Sequence, residues 1–365
     1  MDNVIKKLNF TKFVYGDKQF QYANKVEYLA EGFIKYHKEN FQKYFCLNES
    51  EFINKNVLDT GVGSGKHAAV LALMGANVLG IDLTEKNIEK ANELKNKLNL
   101  NNLDFKVGNL MEPIDSDSNF DLISAHNWMQ HAENPSKVMG NLVNKLKLNG
   151  KLYLSLYQGN TFRFLIAQIA RNILNQKDYN TCESLVRFHF PGGFHQFNNY
   201  LDIYLENIFD DFFVPYCNTT SYKVVLDDAE KMGLKPITNI PKKNMNYNVD
   251  NLALRIGFIK IKEKDYKNVN LKFTTFINEF DVDEPQIKDI HDLINLNINY
   301  FKNSNDQYEK CSFCLGLYRV RAEVNKYTDI EKRFKHLKYY LEQSLDKTHW
   351  SIASANPIFQ NIGKK

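Results

Sequence analysis

The chain has 365 residues, 43% hydrophobic and 25% charged, with 47 Lys and Arg against 43 Asp and Glu for a net charge of +4. That length accommodates one large α/β domain with additions, or two domains, and so slight a basic excess does not by itself imply nucleic acid. No stretch approaches the ~20 apolar residues of a membrane span, and the opening Met1-Asp2-Asn3-Val4-Ile5-Lys6-Lys7 lacks the apolar core of a signal peptide; with five scattered cysteines, a reduced cytoplasmic protein is expected.

In chain order, the positions Val26, Leu29, Phe33, Tyr36, Phe41 and Tyr44 recur at three- to four-residue steps and predict a helix over about 23–45. Strands and helices then alternate. Strand 55–59 leads through a glycine-dense turn into a helix to Met74, and Ala76–Asp82 is a second strand. A helix from about Glu85 to Leu98, strands at Leu103–Val107 and Phe120–Ser124, a helix around Val138–Leu146 and a strand at Gly150–Leu156 follow. Strands separated by helices of this length mean βαβ units and a parallel sheet, here a doubly wound α/β core.

Residues 158–215 break the alternation: helical at first, then aromatic and irregular through Phe188, Phe190, Phe194 and Phe197 around Pro191-Gly192-Gly193. A long insertion that interrupts a compact core points to function. A helix at Ser221–Met232 and strands near 233–237 and 252–261 close the sheet, and 263–365 reads as a mostly helical appendage with helices near 285–300 and 329–345. The expected organisation is an N-terminal helical cap (1–50), a core domain (51–262) carrying the insertion, and the appendage (263–365). Cys311-Ser312-Phe313-Cys314 is a lone CxxC without partner ligands at zinc spacing, so these cysteines read as ordinary core or surface residues, and no metal-ligand set is visible.

The chemistry concentrates in Asn56-Val57-Leu58-Asp59-Thr60-Gly61-Val62-Gly63-Ser64-Gly65-Lys66-His67. A Walker A loop needs four residues between its glycines and a Ser or Thr after the lysine; Gly61 and Gly65 are too close, and His67 stands in the hydroxyl's place. A dinucleotide fingerprint places its third glycine where Lys66 stands, which leaves NAD or FAD as the runner-up. Ligands of open α/β sheets bind outside the carboxyl ends of the strands. Those ends are Asp59 and its turn, Asp82, Gly108-Asn109-Leu110, and Ser124 through Pro135.

In order and interval these four strand ends resemble motifs I to IV of the class I S-adenosylmethionine (SAM)-dependent methyltransferases, with the closest flavour in the small-molecule branch that includes quinone-biosynthesis enzymes. The resemblance spans about residues 50 to 157 and more weakly to 262. It implies a Rossmann-like methyltransferase fold with SAM as cofactor and S-adenosyl-L-homocysteine as product. It also implies that the N-terminal helical segment covers the cofactor, while a helix simply packed on the sheet edge is the equal alternative. Carried over, Gly61, Gly63 and Gly65 lie against the methionine end, Asp59 meets the amino group, Asp82 holds the ribose and Leu83 flanks the adenine. Asn109, where the family usually has aspartate, faces the adenine amine, Leu110 donates its backbone N–H, and His126 is a further cofactor contact. The family's paired histidines before Asp-Pro are here Gln130-His131 before Asn134-Pro135.

The function this predicts is methyl transfer to a small-molecule acceptor, with nitrogen, oxygen, sulfur or carbon unresolved. A hydroxyl or carbon acid needs a base, for which His131 comes first and His126, His189 and His195 follow. The insertion is read as a lid that selects substrate, with His189, His195, Arg163 and Trp128 as acceptor contacts and Arg187 as a second clamp. Two other readings stay open: an RNA or protein methyltransferase that uses 263–365 to bind its partner, and a non-catalytic scaffold. Nucleic acid and membrane partners are not expected, and a homo-oligomer stays open.

Overall fold

A computed structural model describes residues 31–159, 161–189, 208, 210–239, 253–263, 274–275, 285–324 and 330–345. The described residues fall into two compact units: those within 1–159, 215–245 and 252–275 form one, and those within 160–214 and 276–365 form the other. The insertion and the appendage, separate in the sequence, thus share a unit.

The first unit is built on a seven-stranded sheet. Its strands are β1 (Asn56–Thr60), β2 (Asn77–Asp82), β3 (Leu103–Val107), β4 (Phe120–His126), β5 (Leu146–Tyr157), β7 (Leu234–Pro236) and β8 (Ala253–Lys260). The order is β3-β2-β1-β4-β5-β8-β7. The first five run parallel, whereas β8 is antiparallel to β5 and β7 antiparallel to β8. The two closing strands therefore return as a hairpin-like edge on an otherwise parallel sheet. A short pair, β6 (Asn218–Thr219) with β9 (Thr274–Thr275), stands apart from it.

Successive strand side chains alternate faces, and both faces are apolar, as a parallel sheet covered on both sides requires. Val57, Val78, Leu103, Leu122 and Tyr153 pack one way, with α1 (Glu31–Phe45) and α2 (Lys66–Leu73). Leu58, Ile81, Ile123, Leu152 and Leu154 pack the other way, with α4 (Pro135–Lys145) and α7 (Tyr222–Lys231), while α3 (Glu85–Lys97) covers β2 and β3. Gly257 marks a close approach: a Cβ there would sit 1.7 Å from the Tyr44 carbonyl oxygen, so α1 can cross β8 only over glycine. The strand order reverses between β1 and β4, the crevice where open α/β sheets bind ligands. The predicted helix start at 23 lies outside the described residues.

The second unit is helical, with α5 (Phe162–Ile173), α6 (Tyr179–His189), α8 (Pro285–Asn303), α9 (Gln307–Val324) and α10 (Ile330–Ser344). Helix α9 is absent from the sequence expectation, because its apolar residues circle the whole helix instead of forming a stripe. Cys311, Phe313, Cys314, Leu315, Leu317, Tyr318 and Val320 are all buried. Gly316 lets α10 approach, since a Cβ there would meet the Tyr340 hydroxyl at 2.0 Å, and that hydroxyl donates to the Phe313 carbonyl at 2.9 Å. Both CxxC cysteines are core residues, and burial pushes the Cys314 thiol well above its usual range.

Candidate functional site

The glycine turn is held by backbone hydrogen bonds and by one carboxylate. Gly61, Gly63 and Gly65 all take positive φ (61°, 52° and 79°), which glycine adopts without steric cost. The Gly61 N–H donates to the Ile81 carbonyl at 2.8 Å and the Gly65 N–H to the Val62 carbonyl at 2.9 Å. The Gly63 N–H donates at 2.8 Å to Asp82 Oδ2. The other oxygen, Oδ1, accepts from Thr84 N, Thr84 Oγ1 and Asn87 Nδ2 at 3.1–3.2 Å. Asp82 thus fixes the shape of the turn, a role the sequence does not announce.

The three glycines have different neighbours. A Cβ at Gly65 would lie 2.8 Å from both Ala91 Cβ and Phe105 Cζ, so this glycine closes the packing of α2. A Cβ at Gly61 would strike the Trp128 ring, 2.3 Å from Cγ. At Gly63 nothing stands within 4 Å. Beside the turn, Asp59 is buried and its Oδ2 has no hydrogen-bond partner. Burial pushes its carboxyl up to about 7, and the nearby Asp82 charge adds to this. A bare backbone cradle next to a buried carboxylate oxygen lacking a donor fits a ligand with an amino group. Leu83 is half-buried and Leu110 buried, while Asn109 is exposed with Oδ1 already accepting from Met111 N at 3.0 Å.

Past β4 the chain turns through Asn127, whose φ is 57° and whose N–H donates to the Ser155 carbonyl at 2.9 Å. Trp128 then folds back over Gly61, its indole donating to Thr60 Oγ1 at 3.0 Å, and Thr60 donates in turn to the Ser124 carbonyl at 2.7 Å. This tryptophan roofs the glycine turn. His131 lies in the following 3₁₀ turn with Nδ1 3.0 Å from the Tyr216 carbonyl oxygen. A carbonyl only accepts, so Nδ1 donates to it, which in the neutral ring puts the lone pair on Nε2.

His126, the last residue of β4, does not stand alone. With His37 of α1 and His67 of α2 it forms a cluster whose ligating nitrogens all lie within 4.8 Å of one another. The ring centroids are 4.3 Å apart for His37–His67 and for His67–His126, and 5.6 Å for His37–His126. Both nitrogens of His126, Nε2 of His67 and Nδ1 of His37 are buried without hydrogen-bond partners. Burial lowers His37 to about 4 and His126 to about 3, and it takes His67 well below the usual imidazole range, so all three rings are neutral near pH 7. Arg255 of β8 adds to each shift and donates to the Tyr36 hydroxyl at 3.1 Å. His37 and His67 were not singled out as site residues from the sequence. The available signal was His37 in the middle of the Phe33–His37–Phe41 stripe, a polar residue on a face predicted to be buried.

Arg163, Arg187 and His189 lie in the second unit. Arg163 is buried, and its Nε and Nη2 grip Asp211 at 2.8–3.0 Å; Arg321 Nη1 reaches the same carboxylate at 3.2 Å. This guanidinium is held in a buried Arg–Asp–Arg group. Arg187 pairs with Glu183 one turn away on α6. His189 ends α6, nothing is described of its side chain, and His195 lies outside the described residues.

Residues 52–192 match the family described as "Methyltransferase domain". That segment is a methyltransferase domain. Its seven-stranded sheet with flanking helices is an α/β Rossmann-like fold. Among curated proteins, the ubiquinone biosynthesis O-methyltransferase of Dechloromonas aromatica is 32% identical over 124 residues, which is 33% of this chain and 53% of that protein. Its namesake in Pelagibacter ubique is 33% identical over 126 residues, 33% of this chain and 51% of that one. The chain spans about half the length of these relatives. A solved structure of magnesium protoporphyrin IX methyltransferase from Synechocystis is 13% identical with a TM-score of 0.45, over 69% of this chain and 99% of that one. Among the described residues, no helix is long and apolar enough to cross a membrane.

Proposed function

We propose that this protein transfers a methyl group from SAM to the oxygen of a small hydroxylated acceptor. The observation that carries the reading is the pairing of the open backbone at Gly63 with the partnerless buried Oδ2 of Asp59, inside a segment that matches the methyltransferase domain. The choice of oxygen follows the similar ubiquinone biosynthesis O-methyltransferases.

Asp59 accepts from the cofactor's amino group, which removes the cost of its unpaired oxygen. Asp82 uses the open lone pair of Oδ2 for a ribose hydroxyl while it keeps the turn in shape. Leu83 and Leu110 flank the adenine, with Asn109 at its amine. When bound, SAM supplies an activated methyl on a sulfonium, so the protein's main task is alignment, which is able to lower a barrier by ~7–11 kcal/mol. His131, with the lone pair on Nε2, takes the hydroxyl proton as the oxygen becomes nucleophilic.

Calorimetric titration with S-adenosylhomocysteine, followed by labelled-methyl transfer to a panel of hydroxylated aromatics and matched amines, tests this. One saturable site and label on the hydroxylated compounds are expected. Binding of NAD without S-adenosylhomocysteine would overturn the reading, and label on the amines alone would move the acceptor atom to nitrogen.

A further inference from the structure

We propose that His37, His67 and His126 bind a divalent transition-metal ion of the zinc class, leaving one coordination position open for an anionic oxygen ligand. Three observations carry it. The rings come from three separate elements, α1, α2 and β4, and converge until their ligating nitrogens lie within 4.8 Å of one another. Each ring also has at least one buried nitrogen with no hydrogen-bond partner, and His126 has two. Finally, the rings lie edge to face or tilted, not locked to carbonyls or carboxylates, so modest side-chain rotation aims one nitrogen of each at a common point.

Zinc takes imidazole nitrogens at ~2.0–2.1 Å in a tetrahedron, which places the nitrogens about 3.4 Å apart. The cluster needs to contract by about 1.5 Å at most to reach this. A plain core role accounts for the facts less well. Buried polar nitrogens are normally paired, and a core needing only volume would be filled by Leu or Phe. Three protein ligands with a fourth position open is the composition of reactive zinc sites, whereas structural sites are closed by four.

The class of the fourth ligand follows from charge. Three neutral imidazoles leave the ion at +2, and Arg255 acts on all three rings with a further positive charge. Among the described residues, the groups acting on these rings besides one another are Arg255 and, for His67, Lys66, none of them acidic. An anionic oxygen, such as a hydroxide, phenolate or carboxylate, is the ligand this field favours. His126 ends the strand beside the crevice and His67 immediately follows the glycine turn. On the methyl-transfer reading, the open position then suits the acceptor's own oxygen; metal binding itself does not depend on that reading.

The test uses the full chain without an affinity tag, stripped with a chelator and titrated with zinc by calorimetry and with cobalt(II) by visible absorption. One ion per chain is expected, with the intense visible bands of four-coordinate cobalt. His37→Ala, His67→Ala and His126→Ala are each expected to weaken zinc binding about 100-fold or more, while His291→Ala on α8 leaves it unchanged. Absence of a saturable site in the wild-type chain, or a six-coordinate cobalt spectrum indifferent to all three substitutions, overturns the proposal; the cobalt spectrum needs no variant to fold. Parallel titration with S-adenosylhomocysteine separates the two readings. S-adenosylhomocysteine binding without zinc defeats the metal site alone, and zinc binding without S-adenosylhomocysteine defeats the methyl-transfer reading alone.

Discussion

Alanine at Gly63 and at Gly65 makes a paired experiment, because the two positions share a backbone conformation and differ in what lies around them. Both have positive φ, 52° and 79°, so each alanine costs about 1–2 kcal/mol in backbone strain. At Gly65 the new methyl also lands 2.8 Å from Ala91 Cβ and Phe105 Cζ and 3.1 Å from Ala91 Cα. Neither neighbour is the end of a flexible chain, and overpacking of this kind adds about 1–3 kcal/mol. The expected losses of stability are therefore about 1–2 kcal/mol for Gly63→Ala and about 2–5 kcal/mol for Gly65→Ala. The Gly63 N–H still reaches Asp82 in the variant, so the turn stays anchored. Its methyl, however, projects into the space that the proposed cofactor must enter, and S-adenosylhomocysteine affinity should fall about tenfold or more, over 1.4 kcal/mol. Urea unfolding of ligand-free protein reads the first quantity and calorimetry the second. If Gly63→Ala binds like wild type, the backbone there does not meet the ligand. If both alanines cost the same stability, the packing argument at Gly65 is wrong.

Asp82→Ala removes an acceptor for four donors, so it should loosen the turn and weaken S-adenosylhomocysteine by several-fold at least; wild-type affinity by calorimetry would remove Asp82 from the site. For Asp59 the sign follows from its raised carboxyl. The folded protein keeps a proton that the unfolded chain releases above about 3.9, so this group's contribution to stability is fullest below that pH and is lost as pH rises through about 7. Asp59→Asn should then be more stable than wild type at pH 8 without ligand, by up to about 4 kcal/mol at 1.36 kcal/mol per pH unit, yet bind S-adenosylhomocysteine more weakly; a variant no more stable than wild type in urea at pH 8 refutes the assignment. In the helical unit, Asp211→Ala leaves Arg163 and Arg321 buried without their carboxylate and should cost about 3–5 kcal/mol, which a urea midpoint near wild type would contradict.

The parallel core was legible because its signals are local. Apolar runs such as Val57-Leu58 and Leu122-Ile123 end in an acid, a glycine or a polar turn, and a helical period follows each one. What the pattern does not carry is direction: Ala253–Lys260 reads as a strand either way, and only its pairing with Lys151–Tyr157 shows that it runs antiparallel. Helix α9 was missed for a related reason. A helix buried all round has no amphipathic stripe to betray it, and its glycine and CxxC distract from the period. The pairing of Arg163 with Asp211, 48 positions away, is beyond any spacing rule.

The strand-end site divides along the same line. Asp59, Gly63 and Asp82 come together because a sheet gathers its own carboxyl ends at one edge, so adjacency in space follows from strand order alone. Trp128 was placed nearby on the same ground, but the fold-back that seats its ring on Gly61 depends on the left-handed turn at Asn127. His37 and His67 belong to another class. His67 sits one residue inside α2 and His37 midway along α1, and nothing in either helix says which turn of one meets the other. Their meeting with His126 is set by α1 crossing the sheet where Gly257 admits it. A Cβ at 257 would meet the Tyr44 carbonyl oxygen at 1.7 Å, so a side chain there pushes against the helix that carries His37 and touches no motif of the glycine turn. The glycine turn and the strand-end carboxylates are therefore written in motifs, and the histidine cluster in the packing of one helix.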